Sequence, residues 1–335
     1  MGLLLAVPGF VGCVLDPLIG AAGDTRFRRA VLVAGGAVFA CAAALAAGAP
    51  GFAALLVALV LANPASGAFV SLAQATLMDV LPGERERSMA RWTLAGAFGY
   101  VGGPLIISTT LWLGLGWRAA LAGLAVVAVP LAVAARRAPQ IAPSNPQALA
   151  ASIRSSLAAL RRAEVLRWLA TLEAADLLLD VLHGFLALYL VDVARLDPAA
   201  AAIGVGVWTG AGLLGDWLLL AALRRMDGLR YLRLSAAASS AVYPAFLLVS
   251  SPGAKLTLVG ALGLLNSGWY AIPKARLYEA LPGQSGAAVA VGGIGGLVGA
   301  AVPLVLGLVA SSAGLKPTMW ILVLAPLALF VGARR

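Results

Sequence analysis

The chain has 335 residues, of which 61% are hydrophobic and 11% are charged, and its formal net charge is +10. Water-soluble domains have about 45–50% apolar residues, glycine included, and about 25% charged residues. The composition therefore excludes a soluble enzyme, a nucleic-acid binder and a disordered tail. The excess of positive charge describes membrane topology and not a surface for nucleic acid.

Few side chains in this sequence suit metal or disulfide chemistry. The chain has one histidine, His183, and two cysteines, Cys13 and Cys41, which both lie within apolar runs. Neither a His-Glu-x-x-His motif nor a pair of Cys-x-x-Cys motifs occurs. We therefore expect no metal site, no cofactor and no disulfide framework.

Long apolar runs, separated by charges, prolines and glycines, predict eleven membrane-spanning helices, since about 20 apolar residues cross the hydrocarbon core. The predicted spans are residues 3–21, 30–49, 52–80, 88–114, 117–135, 166–192, 198–222, 231–251, 254–279, 285–313 and 316–333. The predicted fold class is an all-α polytopic membrane protein.

The distribution of basic residues supports this division. All of the 24 Lys and Arg residues fall on alternate connections or at the C-terminus, with the exception of Arg118, Arg195, Lys255 and Lys316. Lys and Arg collect on the cytoplasmic side of a membrane. We therefore expect a multi-pass protein of the plasma membrane with a cytoplasmic C-terminus.

One long connection, residues 136–165, interrupts the series of spans. After a proline-rich start it predicts a basic amphipathic helix, with an apolar side and a basic side. The apolar side is Ile153, Leu157 and Leu160, and the basic side is Arg154, Arg161 and Arg162. Such a helix either lies along the cytoplasmic membrane surface or is a solvated linker. The predicted domains are residues 1–135 with five spans, the linker 136–165, and residues 166–335 with six spans.

The two parts of the chain resemble each other in three places. Gly20–Asp24 matches Gly212–Asp216 at an offset of 192, Leu77–Gly83 matches Leu277–Gly283 at 200, and Gly96 and Gly99 match Gly296 and Gly299 at 200. Repeated halves of parallel topology are typical of secondary transporters. The sequence therefore predicts two pseudo-repeated helix bundles.

The span 166–192 carries four ionisable residues: Glu173, Asp176, Asp180 and His183. At about 100° per residue they fall on one face of a helix, and three acids facing lipid would cost on the order of 8–10 kcal/mol. We therefore expect this acidic stripe to face the interior of the bundle, where its carboxylates take up and release protons. The alternative is a buried polar cluster that only determines helix packing.

Other polar residues within spans are weaker candidates for a substrate cavity. On 254–279 they are Asn266, Tyr270 and Lys274, and on 52–80 they are Asn63, Ser66 and Gln74. Lys274 is equally well explained as a topology determinant near the membrane surface. Asp16, which precedes Pro17, is either a polar anchor at a helix kink or part of a gate.

Two short motifs carry a resemblance to a known family. Gly20-x-x-x-Asp24-Thr25-x-Phe27-Arg28-Arg29 lies in a loop between two spans and resembles the signature loop of the major facilitator superfamily, with departures at the Thr and Phe positions. Gly99-x-x-x-Gly103-Pro104 resembles the glycine-proline motif of drug exporters in that family. The arginine motif of the fourth helix is replaced around Asn63–Gly67, which puts the standard drug–proton antiport relay in doubt. The chain resembles exporters of the fosmidomycin-resistance-type branch.

The resemblance implies roles for the motif residues. Gly20, Asp24, Arg28 and Arg29 would act in conformational switching. Asp24 would hold the cytoplasmic side closed by contacts with a helix N-terminus, a favourable position for an anion. Gly99, Gly103 and Pro104 would let helices approach and bend. In the family, the helix that corresponds to the acidic stripe borders the central cavity.

These observations predict a monomeric, proton-coupled exporter of a small organic solute that works in the lipid bilayer by alternating access. An intramembrane enzyme and a channel are the alternatives. The sequence also suggests a missing first helix, because the signature loop follows the second helix in the family but the first predicted span here. We therefore expect a further span upstream of Met1.

Overall fold

The computed structural model describes residues 2–137 and 148–334, and every regular element in these two ranges is helical. The helices are α1 (Gly2–Gly23), α2 (Arg28–Ala47), α3 (Phe52–Val80), α4 (Arg85–Trp112), α5 (Gly116–Ala135), α6 (Leu149–Ala159), α7 (Ala163–Val193), α8 (Pro198–Ala222), α9 (Gly228–Leu248), α10 (Pro252–Leu265), α11 (Ala271–Glu279), α12 (Ser285–Ala313) and α13 (Leu315–Gly332). The all-α fold class is confirmed. The proline-rich start of the predicted linker, residues 138–147, lies outside the described residues.

Eight helices of the described chain are long and apolar enough to cross a membrane, so the predicted number of eleven spans is not confirmed as such. They are α2, α3, α4, α5, α7, α8, α12 and α13. Two shorter apolar helices, Val7–Gly23 and α10, match two further predicted spans. The remaining predicted span corresponds to α9, which begins among arginines and contains three serines, so its mean hydropathy is lower.

The chain forms two compact units. The first unit consists of Met1–Gly83, Tyr100–Val165 and Tyr278–Leu297, and the second of Glu84–Gly99, Leu166–Leu277 and Val298–Arg335. Helices α4 and α12 each contribute to both units. The division predicted at residues 135 and 165 stays a prediction.

Helices of the first unit pack through small residues. α1 packs on α3, α3 on α2, and α2 on α5. A Cβ added at Gly35 would lie 2.8 Å from the Cβ of Ala68, and one added at Gly36 would lie 2.9 Å from the Cβ of Ala132. Close approach of the backbones therefore requires these glycines.

The helix α6 packs on α1 in this unit with a face that differs from the predicted apolar side. Its buried residues are Ser152, Ser156 and Ala159, and the Ser152 hydroxyl donates a hydrogen bond of 2.8 Å to the Ala21 carbonyl. Leu157 remains 53% exposed. Ile153 and Leu160 are half-buried, so the predicted apolar side contributes less to packing than the small residues, which allow the closer contact with the end of α1.

Helices of the second unit repeat the same packing pattern. α8 packs on α10, α10 on α9, and α9 on α13, while α7 packs on α8. The starts of corresponding helices differ by about 200 residues: Arg28 and Gly228, Phe52 and Pro252, Arg85 and Ser285, Gly116 and Leu315. Contacts follow the same offset, since Gly12 lies against Asn63 and Gly212 lies against Gly263.

The constant offset corrects one match of the predicted repeat. Asp24 follows the end of α1, whereas Asp216 lies inside α8, so the pairing at an offset of 192 is wrong. The residue that corresponds to Asp216 is Asp16, in the interior of α1. Glycine-rich helices allow such accidental matches, and only the helix ends decide between them.

Two spans of the second unit depart from regular α-helix. α7 contains π-helical segments at Leu177–Leu182 and Tyr189–Val193. The predicted span 254–279 is interrupted at residues 266–270, between α10 and α11, where Gly268 has a φ of +79°. Such irregular segments within helices occur frequently at functional sites.

Candidate functional site

Asp24 binds the start of a helix in the first unit. α1 ends at Gly23, and the next residue turns its carboxylate toward the first turn of α12, where the backbone N–H groups of Gly286 and Ala287 each donate a hydrogen bond of 2.7 Å. The Asp24 side chain is almost fully buried, with 4% exposure. An anion at a helix N-terminus is stabilised by the unpaired N–H groups and by the helix dipole.

Arg28 links Asp24 to a second acid. Its Nη1 lies 2.6 Å from Asp79 Oδ2 and its Nη2 lies 3.5 Å from Asp24 Oδ1. The guanidinium also donates to the Ser285 hydroxyl and to the Gly23 carbonyl, and Ser285 donates to Asp79 with a distance of 2.6 Å. We call Asp24, Arg28, Asp79 and Ser285 the Asp24 cluster. It joins the ends of α1 and α3 and the starts of α2 and α12.

The electrostatics of the Asp24 cluster are dominated by burial. Burial raises the pKa of the Asp24 carboxyl, and the hydrogen bonds from Gly286 and Ala287 and the charge of Arg28 oppose this effect only in part. Sequence reasoning identified Asp24 and Arg28 but missed Asp79 and Ser285. Asp79 lies in the repeated segment Leu77–Gly83, which was the available signal.

The remaining motif residues differ in their surroundings. A Cβ added at Gly20 would lie 2.6 Å from the Cα of Ala290, so α1 and α12 touch at this glycine. A Cβ added at Gly99 or Gly103 would meet no atom of the described residues within 4 Å. Pro104 lies within the continuous helix α4, and Arg29 is half-buried. The gating role of all these residues stays a prediction.

The acidic stripe occupies the less buried side of α7. Glu173, Asp176 and His183 are half-buried, and Asp180 is exposed. The opposite side of the helix is closed by residues such as Leu178. The π-helical segment begins directly after Asp176, so the helix changes from α-helical to π-helical geometry in the middle of the stripe.

Lys274 of α11 belongs to the same neighbourhood. Its positive charge interacts with both Glu173 and Asp176, while His183 interacts with Asp180. The Glu173 carboxylate fills the space in which Gly299 would carry a side chain. The three acids and the two basic residues thus form a mixed-charge cluster, and the sequence had left the role of Lys274 open.

The weaker candidates divide between the two units. In the first unit, Gln74 is buried and its Oε1 accepts a hydrogen bond of 3.2 Å from the Tyr278 hydroxyl, and Asn63 is exposed beside Gly12. In the second unit, Asn266 and Tyr270 lie at the two ends of the interruption between α10 and α11. Their place in a substrate cavity stays a prediction.

Sequence reasoning missed a second ionic cluster, which lies in the second unit. Arg276 Nη2 lies 2.7 Å from Glu86 Oε1 and 3.0 Å from Asp227 Oδ1. Glu86 also accepts a hydrogen bond of 3.2 Å from the backbone N–H of Gly228, at the start of α9. We call Glu86, Asp227 and Arg276 the Glu86 cluster. No sequence motif marks it, because its members are far apart in the chain.

The described residues contain no group of three or more His, Cys, Asp or Glu side chains that could hold a metal ion. The mixed-charge cluster on α7 and α11 is suited to binding and releasing protons or charged groups. The hydrogen bonds and ion pairs of the Asp24 cluster share the same side chains, so they are suited to form and break together.

Comparisons with known proteins agree with this architecture. The sequence profile of the Major Facilitator Superfamily matches residues 1–300. No curated protein matches the chain in sequence.

Solved transporters have a similar fold at low sequence identity. The fucose–proton symporter FucP of Escherichia coli superposes with a TM-score of 0.79 at 17% identity, over 99% of this chain and 90% of that one. The human organic anion transporter MFSD10 gives 0.78 at 21% identity, over 99% and 83%. A bacterial homologue of the iron transporter ferroportin gives 0.75 at 19% identity, over 99% and 89%.

The profile covers most of the chain, and the helices superpose on these transporters over nearly its whole length. The chain therefore belongs to the Major Facilitator Superfamily, and it is a transporter and not an enzyme.

Proposed function

We propose that the protein is a proton-coupled secondary transporter that exports a small organic solute by alternating access. It acts as a monomer in the plasma membrane, with its C-terminus in the cytoplasm. The observation that carries the proposal is the mixed-charge cluster on α7 and α11, where Glu173 and Asp176 share the charge of Lys274. Carboxylates can couple transport to protons if protonation of one of them alters its ionic interactions with neighbouring side chains.

The physical basis of coupling is competition for one positive charge. Closely spaced carboxylates repel each other, and the repulsion grows where water is excluded. A proton taken up by Asp176 removes one negative charge and leaves Lys274 to Glu173. The π-helical segment after Asp176 is the point at which α7 could change between π-helical and α-helical geometry when the ionic partners of Asp176 change.

The Asp24 cluster is the proposed gate. Its hydrogen bonds to Gly286 and Ala287 join the end of α1 to the start of α12 and must break if these helix ends separate. Asp24→Asn should therefore slow turnover with little change in substrate affinity, because it alters the equilibrium between access states and not the binding pocket. An unchanged maximal rate would remove the gate from the proposal.

Export is supported by the similarity of Gly99, Gly103 and Pro104 to the motif of drug exporters. The structural neighbours are named for different substrates, namely fucose, organic anions and iron. The proposal is therefore limited to a small organic solute. A panel of antibiotics, tested for export-dependent resistance in a pump-deleted host, would identify it.

The decisive experiment measures flux of that solute in proteoliposomes with and without a pH gradient. Asp176→Asn and Asp180→Asn should each abolish gradient-driven flux while the protein remains folded and inserted. The matched control is Asp192→Asn, on the same helix but outside the stripe. If both stripe variants transport at the wild-type rate between about pH 6 and pH 8, the stripe has a purely structural role.

The same assay separates a transporter from a channel. Carrier flux saturates with solute concentration and responds to the proton gradient, whereas channel flux rises with concentration over a wide range. Flux that does not saturate would overturn the alternating-access part of the proposal.

A further inference from the structure

Asp16 and Asp216 occupy equivalent positions in the two repeats but have different surroundings. In the first unit, Asp16 of α1 lies beside Gly67, where an added Cβ would be 2.7 Å from its Oδ1. There α3 continues without a break from Phe52 to Val80. In the second unit, the Asp216 carboxylate lies near the backbone N–H of Gly268. At this point the span is interrupted between α10 and α11.

The interruption brings further oxygen atoms close to the part of α8 that carries Asp216. The Ser267 hydroxyl lies 3.4 Å from the Gly212 carbonyl oxygen, one helical turn from Asp216. α10 ends at Leu265, so the negative end of its dipole points into the interruption. In discontinuous membrane helices, unwound backbone and half-helix C-terminal ends are the groups that coordinate cations.

Asn266 is the second, independent observation. It lies in the interruption with 3% exposure, and neither of its side-chain polar atoms has a hydrogen-bond partner among the described residues. The hydroxyl of Ser239 on α9 is likewise fully buried and unpartnered in that part of the chain. Ser239 lies one turn from Ser235, which accepts a hydrogen bond of 3.0 Å from Trp269 Nε1 in the interruption. Buried polar atoms without partners are costly, so these atoms point to a ligand that would partner them.

The charge balance at Asp216 points to the nature of that ligand. Within residues 2–137 and 148–334, no basic side chain forms an ion pair with Asp216. A carboxylate within a membrane helix is costly unless a positive charge compensates it. Carboxylate, amide and hydroxyl oxygens are ligands for hard cations and not for soft metals. A proton would neutralise Asp216 but would leave Asn266 and Ser239 without partners.

We propose that Asp216, together with Asn266 and the interruption between α10 and α11, binds a sodium-sized cation. The proposed site contains none of the acids of the stripe on α7, so it goes beyond the proposed function. Bound sodium would stabilise the interrupted form of the span, and a cation gradient would then act on transport through α10 and α11. The equivalent position in the first repeat lacks the interruption, and Asn63, one turn before Gly67 on α3, is exposed. We therefore assign no cation to Asp16.

The test measures sodium binding to the purified full chain, with sodium chloride replacing choline chloride at constant ionic strength. Thermal unfolding and intrinsic tryptophan fluorescence, to which the buried Trp269 contributes, are the two readouts. Sodium should raise the unfolding midpoint by about 2–6 °C, as expected for a ligand well above its dissociation constant, and potassium should raise it less. Asp216→Asn and Asn266→Ala should each abolish the shift.

The repeat supplies the matched control, since Asp16→Asn removes the equivalent carboxylate and should keep the full sodium shift. Asp176→Asn should also keep it, which separates this proposal from proton coupling on α7. If Asp216→Asn does not fold, the Asn266→Ala variant decides alone. The proposal is overturned if sodium and choline give the same midpoint, if the shift survives in both variants of the site, or if Asp16→Asn loses it equally. A response to pH without a response to sodium also overturns it, because Asp216 would then bind a proton only.

Discussion

The two repeats contain the same contact between an acid and a helix start, but the elements that carry the acid and the N–H donor are exchanged. In the first unit the acid is Asp24, in the loop after α1, and the donor is the N–H of Gly286 at the start of α12. In the second unit the acid is Glu86, at the start of α4, and the donor is the N–H of Gly228 at the start of α9. Glu86 and Gly286 are equivalent at the offset of 200 residues. The contact between an acid and a helix start is thus retained, while the element that carries the acid changes.

The two clusters also differ in burial, which determines how strongly each depends on its arginine. The side chains of Asp24 and Arg28 are 5% and 8% exposed, whereas those of Arg276 and Asp227 are 23% and 43% exposed. Water reaches Asp227 in the Glu86 cluster, whereas it hardly reaches the Asp24 cluster. The first repeat should therefore respond more strongly to the loss of its arginine.

Arg28→Ala should produce the largest effect on stability. It leaves the Asp79 carboxylate without its arginine partner and removes the countercharge from buried Asp24, which costs about 3–5 kcal/mol when one partner of a buried pair is lost. Arg276→Ala removes a more exposed pair, for which a loss of about 1 kcal/mol or less is typical. Thermal unfolding of both variants in the same detergent measures the difference. Arg26→Ala, in the same loop as Arg28 but exposed, is the control, and equal losses for Arg28→Ala and Arg276→Ala would contradict the comparison.

The interrupted span offers a second contrast, with opposite substitutions at equivalent positions. Gly268 has a φ of +79°, so Gly268→Ala should destabilise by about 1–2 kcal/mol because a Cβ is disfavoured there. Ala68 is buried within the continuous helix α3, and Ala68→Gly should cost about 0.5–1 kcal/mol. The free energy of unfolding of each variant tests this. A stabilising effect of Gly268→Ala would mean that α10 and α11 form one continuous helix.

The smallest expected effect is the pH dependence that Asp24 contributes. Burial raises its pKa, so between the ordinary value and the raised value the folded protein binds more protons than the unfolded chain. Stability from this group therefore increases as the pH falls through that window. Asp24→Asn removes the dependence, so the stability of the wild type relative to this variant should increase on acidification by less than about 1 kcal/mol. A relative stability that decreases on acidification would show that the hydrogen bonds to α12 outweigh burial.

Much of the fold and part of the site could be predicted from the sequence. The all-helical class follows from composition, because apolar runs in a membrane must satisfy their backbone groups internally. Asp24 and Arg28 were found through a motif in one loop, and Asp176 and Asp180 through their spacing on one helix. Asp79, Ser285 and Glu86 were missed or left without a role, because their partners are brought together only by packing between distant helices.

The sequence by itself determined that the chain is a membrane protein, where most of its helices run and which helix carries the acidic stripe, since each of these properties depends on local composition and spacing. The tertiary structure decided the register of the repeat, the interruption at Gly268 and the partners of Arg28 and Arg276. Glycine-rich and alanine-rich helices look alike in sequence at several offsets, and only the packing of one helix on another selects one of them.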